Sequence, residues 1–206
     1  MTPTTTPCPA TSTPSALNLQ RVLKRLSTLD PSAKARVWAA LKHGEIDDLN
    51  TDFNLLAHQH QRAPEAAGGG RPWTTWLILG GRGAGKTRAG AEWVRRLALD
   101  DPRARIALVG ETEHDVRSVM IEGVSGLLAV HRRDEKLKWL PTLRRVEWAN
   151  GAVAEIHTAE NYEGLRGPQF SAAWCDELAK WRHAEATFDM LQFGLRLGDW
   201  PRQLAT

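Results

Sequence analysis

Hydrophobic positions along this chain change their period several times, and each change predicts an element. Leu19, Val22, Leu23 and Leu26 recur at helical spacing and form one apolar stripe. Asp30-Pro31 then reads as an N-cap followed by proline at the first helical position. The helix it opens turns Ala33, Val37, Ala40 and Leu41 to one side and stops at Gly44. A loop-like stretch follows and ends in Gly68-Gly69-Gly70, which no element interior tolerates. Beyond it, strands and helices alternate. Positions 76–79 and 105–109 read as short buried strands, with a helix over 87–99 presenting Ala89, Trp93, Val94 and Leu97. Thr112 caps a further helix carrying Val116, Val119, Met120 and Leu127. Strands at 145–148 and 153–156 flank Asn150-Gly151, a dipeptide that favours a tight hairpin turn. Positions 170–175 form another apolar strand, and 186–197 a helix with Phe188, Leu191 and Leu195 on one side. The alternation predicts an α/β fold with a mainly parallel sheet covered by helices on both faces.

Residues 1–16 are dominated by Thr, Pro and Ser and read as a disordered arm. The expected organisation is that arm, a helical appendage over 17–50, and an α/β domain over 51–206. Composition changes this picture little. With 42% hydrophobic and 25% charged residues among 206, wholesale disorder is excluded and a core needs no staples. Cys8 and Cys175 are too few and too far apart for a disulfide framework or a paired-CxxC zinc site. No apolar run reaches the roughly 18 residues of a membrane span, and no signal peptide is visible, so the expected compartment is the cytoplasm. A net charge of +3 permits an anionic partner without demanding one.

The chemistry concentrates in two places. Gly80-Gly81-Arg82-Gly83-Ala84-Gly85-Lys86-Thr87 fits the phosphate-loop pattern between a predicted strand and a predicted helix. Its glycines let successive backbone N–H groups point at phosphate oxygens, and the helix adds its positive dipole end. Lys86 suits the β- and γ-phosphates, and the Thr87 hydroxyl suits Mg²⁺. Arg82 either touches phosphate or is solvated; its chemistry allows both. The second place is Asp176-Glu177, which ends an apolar run where open α/β sheets put their ligand crevice. Adjacent carboxylates on an extended chain diverge, so Asp176 is assigned to the Mg²⁺ shell and Glu177 to polarising the attacking water. An extra strand between the two motifs, a glutamate beside the aspartate and the lack of an N-K-x-D guanine signature favour ATP over GTP. Cys175 reads as a small core residue, His58 and His60 as exposed loop residues, and Trp38, Trp76, Trp93 and Trp174, on apolar faces, as core. Trp181 is the exception, placed close enough to the acids to line the site. The basic residues of 131–145 read as a solvated charged loop, with DNA phosphate contact the less frequent alternative.

The segments at 80–96 and 163–181 resemble the large terminase subunit of tailed phages and gene-transfer agents, a DNA-packaging motor. The resemblance runs from about residue 50 to the last residue. It implies a P-loop NTPase of the additional-strand, catalytic-glutamate type. Lys86 and Thr87 then match the Walker A lysine and threonine, and Arg82 the arginine terminases keep in that loop. Asp176 and Glu177 match the Walker B aspartate and catalytic glutamate. Arg166 matches the position of an arginine finger acting on a neighbouring subunit's ATP. Gln61 falls at the glutamine of an upstream adenine-binding segment. The implied partners are double-stranded DNA, a portal protein, a small terminase subunit and further copies in a ring. The resemblance also implies that a coupling strand opens at 203–206, leaving the site unsupported on that side, with a nuclease domain absent. A helicase-like motor, or a nucleotide-binding module without turnover, remain the alternatives.

Overall fold

The computed structural model describes residues 30–40, 53 and 57–206. The chain divides into two units, Met1–His58 and Gln59–Thr206. The arm, the stripe at 19–26 and the stop at Gly44 lie outside the described residues. In the first unit α1 spans Pro31–Ala40, and the expected N-cap is formed. The Asp30 carboxylate accepts from the N–H groups of Ser32 and Ala33, both at 2.9 Å, which satisfies two of the donors a helix start leaves open.

The second unit is built on seven strands in the order β1-β7-β6-β2-β5-β4-β3. They are β1 (Thr75–Leu77), β2 (Arg105–Gly110), β3 (Lys138–Leu140), β4 (Arg145–Glu147), β5 (Val153–Thr158), β6 (Ala172–Cys175) and β7 (Arg202–Ala205). The five strands from β1 to β5 in that order are parallel, and β4 and β3 extend them antiparallel. The parallel register aligns Leu108, Trp174 and Leu204 on one face and Val109, Cys175 and Ala205 on the other. Both rows are buried, as expected of strands covered on two sides.

On the first face lies α2 (Lys86–Asp100). On the second, α5 (Ala184–Gly194) and the turn Tyr162–Leu165 enclose Leu165, Phe170, Trp181 and Leu191. The helix expected after Thr112 forms in pieces. Thr112 and Asp115 make a reciprocal capping box at the start of α3 (Glu113–Asp115). The backbone then widens into a π-helix over Val116–Ile121, with Glu122 N–H bonded to Arg117 O at 2.8 Å. Gly123 and Gly126 are folded back on carbonyls of that segment, and α4 (Leu127–Val130) starts afresh.

Two further departures come from turn chemistry and short strands. The Asn150-Gly151 hairpin joins β4 and β5, but Trp148 pairs with Ala152, so its loop has three residues rather than a tight two-residue turn. β3 falls in the segment read as a charged loop; three residues with only Trp139 and Leu140 apolar give no readable period. The strand expected to open at 203–206 is formed as β7, paired with β6 over Arg202–Ala205 and with β1 over Gln203–Ala205.

Candidate active site

The carboxyl ends of the parallel strands carry both sequence motifs. After β1, the loop from Gly80 turns through Gly83 and Gly85, at φ 78° and 76°, and delivers the chain into α2. Glycine at position 85 does two things: the left-handed backbone disfavours other residues, and a Cβ there would overlap the Gln61 carboxamide. Gln61 lies against the loop, its Nε2 donating to Ala84 O at 3.1 Å, and the His60 ring nitrogen Nε2 contacts the same oxygen at 3.1 Å. The Lys86 ammonium donates to Gly80 O at 2.9 Å and Gly81 O at 3.3 Å, so it arches back over its own loop. Thr87 follows in the first turn of α2, half-buried. Arg82 is exposed.

Opposite the loop, Asp176 follows β6 and is tied to the sheet by its N–H to Val109 O at 2.9 Å. Burial pushes its carboxyl above the usual range, and the neighbouring Glu177 charge adds to that. The Thr206 hydroxyl, donating to Oδ1 at 2.9 Å, and the charges of Lys86 and Lys180 pull it back. Lys86 and Asp176, 90 positions apart in sequence, thus sense each other electrostatically. Glu177 occupies the left-handed region, φ 50° and ψ 47°, unusual for a residue with a side chain and typical of functional turns. The Thr206 hydroxyl also accepts the Glu177 N–H at 3.0 Å, so one threonine fixes both acids. It closes the side of the site expected to be open.

Sequence reasoning missed Thr206 as a support and Lys180, which ion-pairs with Glu177. Both were readable as residue types, but only the fold brings the end of β7 beside the end of β6. Trp181 does not line the site: it is buried beneath the acids, its indole N–H donating to Asp176 O at 3.1 Å. Arg166 ends the turn Tyr162–Leu165, exposed, and makes no ion pair among the described residues. Its backbone N–H bonds to Glu163 O at 2.9 Å. Much of the charge at 131–145 is internally matched: Arg144 pairs with Glu113, Arg145 with Glu147, and Glu135 with Arg95. Among the described residues no helix is long and apolar enough to cross a membrane.

No curated protein matches the sequence. Among solved structures, the large terminase of a thermophilic bacteriophage in complex with ADP aligns at TM-score 0.52 and 12% identity, covering 64% of this chain and 33% of that one. A second crystal form of the same phage protein gives 0.49 and 12%, covering 60% and 31%. The ATPase domain of the Thermus phage P74-26 large terminase gives 0.44 and 16%, covering 72% and 60%. The chain therefore spans about a third of the length of the first phage protein it matches. The first of these likenesses supports the fold, a P-loop α/β domain. The family model for the terminase large subunit, T4likevirus-type, N-terminal, matches residues 77–206, from the end of β1 through the phosphate loop, the acid pair and Thr206. The chain belongs to that family, as the N-terminal ATPase part of a large terminase subunit.

Proposed function

We propose that this domain binds Mg²⁺·ATP and hydrolyses it to drive double-stranded DNA into a viral or virus-like procapsid. What supports the reading most is the juxtaposition at the carboxyl ends of the strands: a phosphate loop opening a 15-residue helix, facing a partly buried Asp176 with an exposed Glu177 beside it. The helix N-terminus and the N–H groups of the loop from Gly80 through Gly81, Arg82, Gly83, Ala84 and Gly85 would cradle phosphate. Lys86 would leave the Gly80 and Gly81 carbonyls for the β- and γ-phosphates. Gln61, already seated on the loop, would lie on the base side.

The donor set fits a magnesium ion. The Thr87 hydroxyl and the Asp176 carboxylate are hard oxygen ligands, and a buried carboxyl pushed upward gains from a neighbouring cation. Among the described residues no cluster of three or more His, Cys, Asp or Glu is present, in keeping with an ion that takes its other ligands from phosphate and water. When bound, the ion would neutralise charge on the phosphates. Glu177 would accept the proton of the attacking water and orient it in line with the γ-phosphorus. Arg166, exposed and without an ion pair among the described residues, suits a finger reaching a neighbour's nucleotide. The working form is then a ring of copies engaged with a portal protein and a small terminase subunit in the bacterial cytoplasm.

Isothermal titration with ATP and Mg²⁺ tests the loop: Lys86→Ala is expected to abolish binding, and unchanged affinity would remove the assignment. Glu177→Gln is expected to retain ATP yet hydrolyse it very slowly. Because Arg166 would act in trans, the isolated chain should bind ATP but turn over slowly; a missing finger costs roughly 10³–10⁵ in rate. Fast hydrolysis by a demonstrably monomeric sample would take Arg166 out of the mechanism.

A further inference from the structure

Gln59–Gln61 forms one 3₁₀ turn, closed by the Arg62 N–H on Gln59 O at 3.3 Å. The chain beyond it is pinned at Pro64, whose carbonyl accepts the Trp73 indole N–H at 2.6 Å. Trp73 is buried just ahead of β1, the strand that leads into the phosphate loop. The turn and the loop thus hang from the same strand. From this turn two adjacent side chains reach one oxygen. Ala84 O lies 3.1 Å from His60 Nε2 and 3.1 Å from Gln61 Nε2. A carbonyl oxygen only accepts, so both nitrogens donate, and its two lone pairs are filled. For the imidazole this holds in the Nε2–H tautomer and in the imidazolium alike. In a planar trans peptide the C=O and the N–H point opposite ways. An Ala84 carbonyl drawn toward His60 and Gln61 therefore turns the Gly85 N–H away from them. The loop's own sequence does not enforce this orientation. Gly85, at φ 76°, accepts either sign of φ at little cost, so the peptide before it is free to flip and offer an anion its carbonyl instead. Nor does the N-cap enforce it: Gly85 has no side chain to bond the first N–H groups of α2.

We propose that His60 is a positioning residue for the phosphate loop: together with Gln61 it holds the Ala84 carbonyl outward and so keeps the Gly85 N–H turned toward bound phosphate. The proposal rests on the reading of residues 80–87 as the phosphate site. It gives His60 a task toward the polyphosphate rather than toward the base. A loop that cradles an anion works by pointing successive N–H groups inward, and one flipped peptide replaces a donor with a repelling carbonyl. His60 is exposed and bears on the loop from outside it. Its loss therefore changes the orientation of one peptide and leaves the buried core untouched.

The experiment uses the full chain and two probes, Mg²⁺·ATP and Mg²⁺·tripolyphosphate, titrated calorimetrically. His60→Phe keeps a flat ring and removes the donor. It is expected to weaken both probes by the same factor, roughly two- to ten-fold, the range of one neutral hydrogen bond. His60→Gln, which can donate from its own Nε2, should bind both probes as the parent does. Far-UV circular dichroism confirms that the variants fold. Unchanged affinity for tripolyphosphate in His60→Phe overturns the proposal. A loss confined to ATP overturns it too, by assigning His60 to the base. Undiminished tripolyphosphate binding by Lys86→Ala removes the underlying reading of the loop instead. A readout independent of any ligand is the NMR spectrum of the isotope-labelled chain. The Ala84 carbonyl and Gly85 amide resonances should move in His60→Phe and return toward their parental positions in His60→Gln. Resonances that stay in place in His60→Phe overturn the hold on that peptide.

Discussion

His157 shows what a single buried side chain costs this sheet. It projects from β5 edge-on to Phe170, with ring centroids 5.0 Å apart. Its Nε2 is buried without a hydrogen bond; Glu155, at 3.9 Å, is too far to provide one. Burial first, and the Arg144 charge second, lower its pKa from 6.5 to about 4. The unfolded chain therefore binds the proton more readily than the folded one. The neutral ring's advantage, about 3 kcal/mol, is complete above pH 6.5 and is lost as pH falls from 6.5 toward 4. Urea unfolding midpoints should drop over that interval, and His157→Leu should flatten the drop. At this scale the two motifs were legible because phosphate chemistry dictates both residue types and spacing. His157, Lys180 and Thr206 were not, since their roles depend on neighbours that only the folded sheet supplies.

Among the elements, α2 meets the sheet at Gly90, where there is no room for a side chain. A Cβ on Gly90 would meet Trp174 Cζ2 at 2.5 Å and Nε1 at 2.6 Å, on a ring that is fully buried and has nowhere to turn. Gly90→Ala gains about 0.5–1 kcal/mol of helix propensity but overpacks by about 1–3 kcal/mol. A net loss of stability is expected in thermal unfolding. Trp174→Phe removes the atoms that collide, so the double variant should recover part of the loss, a coupling that a double-mutant cycle measures. The sequence foretold α2 to within a residue at each end because its stripe is periodic over several turns. It did not foretell the break after Ile121. Apolar spacing runs on through Leu127, and the interruption comes from backbone that Gly123 and Gly126 allow but do not advertise. Two of the tryptophans read as core, Trp76 and Trp93, pack with Trp73, which also meets Trp200, and Arg202 lies 4.0 Å above the Trp200 ring. The cluster binds the start of β1 to the start of β7.

For the whole domain, the order β1-β7-β6 sets the phosphate-loop strand and the acid strand on either side of a strand that comes last in sequence. Neither site strand hydrogen-bonds the other; β7 holds both, and Thr206 at its end holds both acids. A chain ending at residue 198 keeps every residue that would touch nucleotide except this support. It is expected to lose nucleotide binding and cooperative unfolding together, measured by calorimetry, whereas a site carried by its loop alone would still bind.

The same topology orders events in time. Pairing Thr75 with Gln203 closes a loop across most of the domain, and such distant parallel pairing is slow to form. During synthesis β2, β5 and β6 can associate while β1 waits unpaired at an edge with its glycine loop already made. On the proposed reading, nucleotide capture then waits for β7. A series of arrested nascent chains should remain blind to nucleotide until β7 has left the ribosome.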